Sequence, residues 1–182
     1  MMKFRLREGN EVLIKEATKD DAQQMIDFYN VVGGETDFLS FGKNEFKHNV
    51  EEYQTFIEST RLEQNSIILL ATIQGEIIGI ASINSSQKQR MKHVGTLGIV
   101  VSEKYIGQGI GRKLMEQLIQ WAASNGITKK ISLVTREDNI HAIELYEKLG
   151  FEKEGLMKKD SFINGVYYNT FVMALFVQTI GI

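Results

Sequence analysis

Three glycines at alternate positions, Gly107, Gly109 and Gly111, form the part of the sequence whose residue types and spacing best predict a chemical role. They follow an apolar run at 95–101 and open a helical pattern at 112–123. Glycine lets a backbone approach a ligand closely and direct several N–H groups into one concavity, and the helix dipole adds partial positive charge there. A strand, a glycine turn and a helix N-terminus in this order predict a phosphate site, and most readily a diphosphate site.

Two familiar nucleotide-binding loops do not match this segment. A P-loop requires Gly-Lys-Ser/Thr at its end, whereas Gly111 is followed by Arg112, Lys113 and Leu114. The dinucleotide fingerprint requires a third glycine at a position that holds Arg112 or Leu114, depending on which pair of glycines begins the motif. Arg112 and Lys113 can add positive charge to an anion site, but a glycine turn that only joins a strand to a helix is an alternative.

A second segment, residues 139–151, follows an apolar run at 131–135 and has the pattern of a capped helix. Asn139 can cap the N-terminus of this helix and Gly150 can end it. Asn139 and Tyr146 are at helical spacing, so their side chains can point the same way. One face of the helix can therefore present both polar groups to a common ligand.

Together the two segments resemble the GNAT superfamily of acyl-CoA-dependent N-acyltransferases, and the resemblance extends over roughly residues 66–176. The glycine segment is similar to the family's pyrophosphate loop, Arg/Gln-x-x-Gly-x-Gly/Ala, with Ile106 where the family usually has Arg or Gln. The second segment is similar to the family motif Asn-x-x-Ala-x-x-Leu-Tyr-x-Lys-Leu-Gly-Phe. It matches that motif at Asn139, Ala142, Leu145, Tyr146, Lys148, Leu149, Gly150 and Phe151.

The resemblance and the order of the predicted elements imply an α/β (α+β) fold, with a mixed, mainly antiparallel sheet of about seven strands and helices on both faces. We expect residues 1–182 to form a single N-acetyltransferase domain. The pairs 74–75 and 164–165, Gln-Gly and Asn-Gly, are typical of two-residue hairpin turns. Strands are predicted at 11–17, 66–73, 76–83, 93–101, 130–135, 151–162 and 166–176, and helices after 18–21, over 44–64, at 112–123 and at 139–149.

The resemblance implies that acetyl-CoA is the co-substrate and that the acceptor is a primary amine, in a small amine, a polyamine or a protein N-terminus. In the family, the pantetheine of acyl-CoA pairs with the backbone of a strand that splays from its neighbour, which corresponds here to 97–101. Gly98 would suit a β-bulge in this strand, although its apolar residues could equally be plain core. Because Ile106 has no polar group, backbone N–H groups and Arg112 would hold the diphosphate. The implied cofactor-binding residues are Ile99, Val100, Val101, Gly107, Gln108, Gly109, Ile110, Gly111, Arg112, Asn139 and Tyr146.

Direct acyl transfer from a thioester to an amine needs a base for the amine proton and an acid for the departing thiolate. The resemblance places Tyr146 at the position of the acid; alternatively, its hydroxyl only orients the sulfur. Asn139 is either a partner for a cofactor amide or a plain helix cap. Glu35 is the first candidate for the base, with Asp37 nearby in the same loop. The alternative is that Glu35 is a solvated loop acid and that water takes the proton.

The sequence leaves the identity of the acceptor open. Residues 162–173 resemble the corresponding part of relatives that acetylate protein N-termini, small amines or polyamines, and do not choose among them. An acidic series could attract a cationic acceptor, or could simply be a solvated helix face. This series comprises Glu45, Glu51, Glu52 and Glu58.

Composition argues against several other functions. The formal net charge of −2 gives no bulk attraction to nucleic acid or to an anionic membrane. The chain has no cysteine for a disulfide, a thiolate zinc site or a Cys acyl-enzyme, and its three histidines lack metal-ligand spacing, so no metal is expected. The absence of a signal-peptide or membrane-span pattern favours a cytoplasmic protein. A homodimer is left open, as are two rival functions: a non-catalytic acyl-CoA-binding or sensor domain, and a structural domain with no CoA site.

Overall fold

The computed structural model describes residues 1–178, whose strands form one eight-stranded sheet. In chain order the strands are β1 (Met2–Arg5), β2 (Glu11–Glu16), β3 (Ile67–Ile73), β4 (Glu76–Ser85), β5 (Val94–Val101), β6 (Lys130–Arg136), β7 (Glu152–Ile163) and β8 (Val166–Phe176). Their order across the sheet is β1-β2-β3-β4-β5-β6-β8-β7. Neighbouring strands are antiparallel except β5 and β6, which are parallel. The predicted mixed, mainly antiparallel sheet is confirmed, with the edge strand β1 in addition to the predicted strands.

Helices cover both faces of the sheet, as predicted. They are α1 (Ala22–Val32), α2 (Val50–Leu62), α3 (Ile110–Ser124) and α4 (Ile140–Lys148). On one face α1 and α2 bury Met25 and Ile57 in a cluster with Ile80 of β4. On the other face α3 and α4 bury Leu114 and Tyr146 in the larger cluster. No helix within residues 1–178 is long and apolar enough to cross a membrane.

Two tight turns set the register of the β3–β4 and β7–β8 hairpins. Gln74 and Gly75 have φ angles of 51° and 88°, and Asn164 and Gly165 have φ angles of 50° and 82°. Left-handed backbone at both central positions is the mark of a type I′ turn, whose twist matches that of the paired strands. Both predicted hairpins are confirmed.

The predicted helix over 44–64 is wrong in its first part, because α2 begins only at Val50. Asn49 stands just before that start in an extended conformation. Its Oδ1 accepts the N–H groups of Glu51 and Glu52 at 2.8 and 3.3 Å, which satisfies donors that the first helical turn leaves free. The residues before Asn49 therefore belong to a long loop between α1 and α2.

The bulge predicted at Gly98 is wrong. Strands β4 and β5 keep an unbroken antiparallel register that joins 79–85 to 95–101. The lack of a side chain at Gly98 has a different consequence. A Cβ there would meet only the Ser82 hydroxyl oxygen, at 3.7 Å, so the sheet surface is open at this point.

Strands β5 and β6 pair only near their N-terminal ends, where 94–96 lie opposite 130–132. Beyond these pairs, β5 continues to Val101 and β6 to Arg136 with no ladder between them. The two strands therefore splay toward their C-terminal ends, as the resemblance implies. The backbone of 97–101 pairs with β4 on one side only.

A test of this packing is provided by two glycines of β5. A Cβ at Gly95 would collide with the Ile83 side chain and lie 3.2 Å from the Ser85 hydroxyl oxygen. Gly95→Ala should therefore lower the free energy of unfolding by about 1–3 kcal/mol, measured by urea denaturation. Gly98→Ala is the control and should be neutral or stabilising by up to about 1 kcal/mol. Equal losses in the two variants would contradict the packing described here.

Candidate functional site

The glycine loop between β5 and α3 presents a run of free backbone donors. Within the described chain, the N–H groups of residues 107–112 make no backbone hydrogen bond, and the first bond into the helix joins the Lys113 N–H to the Gly109 carbonyl at 3.0 Å. Gly107 and Gly109 have left-handed backbones, with φ angles of 77° and 84°. Such free donors at a helix N-terminus are suited to bind an anion. The structure thus has the donors that the sequence predicts for a diphosphate.

The side chains around the loop add little to these donors. The Nε of Arg112 and the Nζ of Lys113 bind the two carboxylate oxygens of Glu116, at 2.9 and 3.0 Å. These hydrogen bonds hold the pKa of the Glu116 carboxyl below its usual range, and the bond from Arg112 has the larger effect. Gln108 donates its side-chain amide to the Lys104 carbonyl at 3.3 Å. Ile106 is 54% exposed and supplies no polar group.

Helix α4 meets this loop from the side of the splay. A Cβ at Gly111 would lie 3.8 Å from both Leu145 of α4 and Val101 of β5. Tyr146, the next residue of α4, is 8% exposed and its ring centroid lies 5.9 Å from that of Phe151. The loop, the C-terminal end of β5 and Leu145 of α4 therefore meet at one end of the sheet, and Tyr146 follows Leu145 in the same helix.

Burial raises the pKa of the Tyr146 phenol to about 12. Removing a group from water disfavours its charged form, so the hydroxyl keeps its proton throughout the neutral pH range. This hydroxyl makes no hydrogen bond to any of the residues 1–178 and can serve a ligand.

Asn139 has the position of a helix cap. Its Oδ1 accepts the Ala142 N–H at 3.4 Å, and its own backbone N–H donates to the Arg136 carbonyl at 3.1 Å. Asn139 therefore caps the helix, which is one of the two roles expected for it. Its side-chain amide N–H group has no partner in the described part of the chain, so a second contact is open to it.

Glu35 binds the end of β5 with both carboxylate oxygens. Its Oε2 accepts the Glu103 N–H at 2.8 Å, and its Oε1 accepts the Ser102 hydroxyl at 3.3 Å. A carboxylate has about four acceptor sites, so two bonds leave it capacity for a further proton or donor. Glu35 therefore lies beside the glycine loop, with a structural role that the sequence did not predict.

Arg136 is a site residue that sequence analysis missed. It ends β6, is 9% exposed, and binds the Asp138 carboxylate with its Nε at 3.0 Å and its Nη2 at 2.6 Å. Its Nη1 donates to the Asp37 carbonyl at 2.9 Å. The guanidinium carbon lies 3.7 Å from the ring centroid of Tyr168 and 4.9 Å from that of Phe38. The local sequence around Arg136 carries no signal for these contacts.

Residues 35–38 thus form a strap across the splay. Glu35 attaches one end of the strap to the end of β5, and Arg136 attaches the other, through Asp37 and Phe38, to the end of β6. Both strand ends are held at the place where the strands are no longer paired to each other. Within residues 1–178, no group of His, Asp and Glu is arranged to hold a metal ion.

The eight-stranded mixed sheet with its splayed parallel pair has the fold of GNAT-family acetyltransferases. The pattern of the acetyltransferase (GNAT) family matches residues 35–151. A crystal structure of a GNAT-family acetyltransferase from Streptococcus pneumoniae is similar with a TM-score of 0.89 and 34% sequence identity, over 92% of this chain and 99% of that one. The chain belongs to the GNAT acetyltransferase family.

Two further relatives are informative. The L-amino acid N-acetyltransferase AaaT of Escherichia coli (strain K12) is 35% identical over 106 residues, which span 58% of this chain and 65% of AaaT, just under two thirds of that protein. A structure of yncA from Salmonella typhimurium with its cofactor acetyl-CoA has a TM-score of 0.79 over 94% of this chain and 96% of that one. At 20% identity this second likeness is one of fold.

A negative charge placed in the glycine loop tests whether the loop binds the diphosphate of CoA. Gly111→Glu should abolish the stabilisation of the protein by CoA, because a carboxylate beside the free N–H groups repels the diphosphate and crowds Val101 and Leu145. Gly111→Ala is the control, since its methyl group makes ordinary contacts of 3.8 Å or more. A ligand at a hundredfold excess over its Kd adds about 2.7 kcal/mol, which a thermal-shift titration detects readily. A folded Gly111→Glu variant with full CoA affinity would rule out the assignment of this loop.

Proposed function

We propose that this protein transfers an acetyl group from acetyl-CoA directly to a primary amine, within a ternary complex of enzyme and both substrates. The acceptor classes that the resemblance implies are small amines, polyamines and protein N-termini. Membership of the GNAT family supports the reaction class. The single domain over residues 1–182 and the cytoplasmic location remain predictions, and a homodimer remains open.

The observation that carries the proposal is the run of free N–H groups at 107–112 next to the unpaired edge of β5. The run suits the diphosphate of acetyl-CoA, with Arg112 as the nearest full positive charge that could turn toward it. The unpaired backbone of 97–101 suits the amide groups of the pantetheine, which would pair with it as an additional strand. In this arrangement the side chains of Ile99 and Val101 stay in the core below.

The proposed reaction forms one bond and breaks one bond. The neutral amine nitrogen bonds to the thioester carbonyl carbon, the carbon–sulfur bond breaks, and the products are an acetylated amine and CoA. One proton leaves the nitrogen and one reaches the sulfur. An unpaired N–H of β5 can stabilise the negative charge that develops on the carbonyl oxygen.

Tyr146 is proposed as the donor to the departing sulfur. A pKa of about 12 keeps its hydroxyl protonated at the pH where the enzyme works. A free thiol has a pKa of about 8.5, but a thiolate buried beside this phenol is also desolvated, which raises its own proton affinity. The phenol can therefore donate a hydrogen bond to the sulfur as negative charge develops there, and the proton follows as the carbon–sulfur bond breaks. Asn139 is proposed to hold a cofactor amide with the N–H group that its capping role leaves free.

Glu35 is proposed as the group that receives the amine proton, directly or through water. It is attached to the end of β5 by the Ser102 and Glu103 bonds, so its carboxylate is held close to the open end of the splay. The alternative is that Glu35 only anchors the strap and that water receives the proton. The two roles differ in how a neutral amide at this position affects turnover.

The test of the proposal is thiol release from acetyl-CoA across a panel of primary amines. Wild-type enzyme should release CoA with at least one amine, and Tyr146→Phe should lower kcat by about a hundredfold or more with little change in the Kd for CoA. CoA binding with no turnover on any amine would favour the non-catalytic sensor. An unchanged kcat in Tyr146→Phe would exclude this tyrosine as the acid.

The role of Glu35 is separated from anchoring by a pair of substitutions. Glu35→Gln keeps an acceptor for the Glu103 N–H but removes the base, so kcat should fall by about a hundredfold while the melting temperature changes little. Ser102→Ala is the matched control, because it removes one anchoring bond and leaves the carboxylate in place. If both variants lose activity equally, Glu35 acts through the strap and water is the base.

A further inference from the structure

A cavity of about 370 Å³ lies between the sheet and the α1–α2 layer, on the opposite face from Tyr146. Helix α2 and the end of the preceding loop form one wall, and β3 and β4 form the floor. No residue of the glycine loop or of α4 takes part. The residues that line the cavity are Tyr29, Phe46, His48, Glu52, Tyr53, Phe56, Ile68, Ser82 and Asn84.

Aromatic rings form most of the walls. The Phe46 centroid lies 4.4 Å from that of Tyr29 and 5.7 Å from that of Tyr53, and the Tyr53 and Phe56 rings stack at 5.6 Å. Burial raises the pKa of both the Tyr29 and the Tyr53 phenols. Both rings therefore stay neutral and keep the electron-rich faces that attract a cation.

The charge of the cavity is negative. Glu52 is its only carboxylate and makes no ion pair with any residue in the range 1–178. No Lys or Arg lines the cavity. The His48 ring is held against Phe46 and Tyr53, with centroid distances of 4.4 and 5.4 Å. Aromatic faces with one unpaired carboxylate are the chemistry that recognises an alkylammonium group, through cation–π attraction and a charge-assisted hydrogen bond.

The cavity is open toward the splay through the missing side chain of Gly98. Ser82 lines the cavity and lies directly opposite Gly98 in the β4–β5 register. A Cβ at Gly98 would touch nothing but the Ser82 hydroxyl oxygen, so no side chain separates the two regions at this point of the sheet. A slender ligand can therefore cross β5 here, from the aromatic cavity to the strand edge where the acetyl donor is proposed to bind.

We propose that this cavity is the binding site for the distal ammonium group of a diamine acceptor, held by Glu52 and the surrounding aromatic rings. The other amine of the same molecule would lie over Gly98 and attack the thioester. This inference rests on the proposed acetyl transfer and adds the class of acceptor to it.

The sheet geometry sets the length of the acceptor. Neighbouring strands are about 4.8 Å apart, so the part of the path that runs over the sheet, from β4 across β5 to the gap before β6, is about 7–10 Å long. Hexamethylenediamine spans such a distance when extended. Heptylamine has the same chain length with a methyl group in place of the distal ammonium, and is the matched uncharged acceptor.

The experiment compares these two amines with wild-type enzyme, Glu52→Gln and Glu51→Gln at about pH 8, where an alkylammonium group is charged. Glu51 is the neighbouring residue of α2, is exposed like Glu52 and does not line the cavity, so its variant controls for the loss of one negative charge. Glu52→Gln should raise KM for hexamethylenediamine about five- to tenfold and leave heptylamine unchanged. Glu51→Gln should behave as wild type. Phe56→Leu should also raise KM for hexamethylenediamine.

Calorimetric binding of each amine, with CoA present and no acetyl donor, separates this inference from the proposed function. Diamine binding that weakens in Glu52→Gln supports the cavity even if no amine is acetylated, in which case the proposed function fails alone. Equal kcat/KM for both amines in all variants would overturn the cavity and leave the acetyl transfer intact. A preference for heptylamine would also overturn it, because the cavity would then select an apolar chain. Equal effects of Glu51→Gln and Glu52→Gln would overturn the proposal, because the effect would then come from net charge and not from a contact with Glu52.

Discussion

The incomplete pairing of β5 with β6 governs the arrangement of the candidate site. These are the only parallel neighbours in the described sheet, and their ladder is limited to 94–96 and 130–132. A parallel connection needs a crossover, and here α3 supplies it. Its N-terminus consequently starts where β5 ends, and the free N–H groups of 107–112 lie beside an unpaired strand edge. Donors for an anion and backbone for an extended chain are thus brought together by one topological feature.

An open edge between two strands has to be supported from elsewhere, and the strap of residues 35–38 provides that support. Arg136 is buried at the end of β6, and a buried guanidinium requires partners for its charge and its donors. Asp138, the Asp37 carbonyl and two aromatic rings supply them. Glu35 makes the equivalent attachment on β5. The two strand ends are therefore connected through a loop rather than through each other.

The alternation of side chains along β5 divides the site into two compartments. Ile99 and Val101 pack into the core shared with α3 and α4, whereas Val100 packs under α1 and α2. Gly98 lies on the same face as Val100 and leaves that face open. The proposed acetyl donor uses the backbone edge of this strand, and the proposed acceptor reaches it across the glycine from the aromatic cavity. One strand can serve both substrates because its edge and its face are independent surfaces.

Features that depend on neighbouring residues could be predicted from local sequence patterns. The Gln74–Gly75 and Asn164–Gly165 hairpins and the glycine loop are set by local backbone preferences, and the Asn139–Tyr146 helix by its periodicity, so they could be predicted. The regular strand at Gly98 and the partners of Glu35 and Arg136 depend instead on contacts between distant parts of the chain. The start of α2 has a local signal, the Asn49 cap, which the predicted helix range did not use. The Glu35–Glu103 and Asp37–Arg136 bonds join residues 68 and 99 positions apart, and no local pattern encodes such a meeting. The aromatic cavity could not be predicted for the same reason. Its residues come from two helices, a loop and two strands that are brought together only by packing.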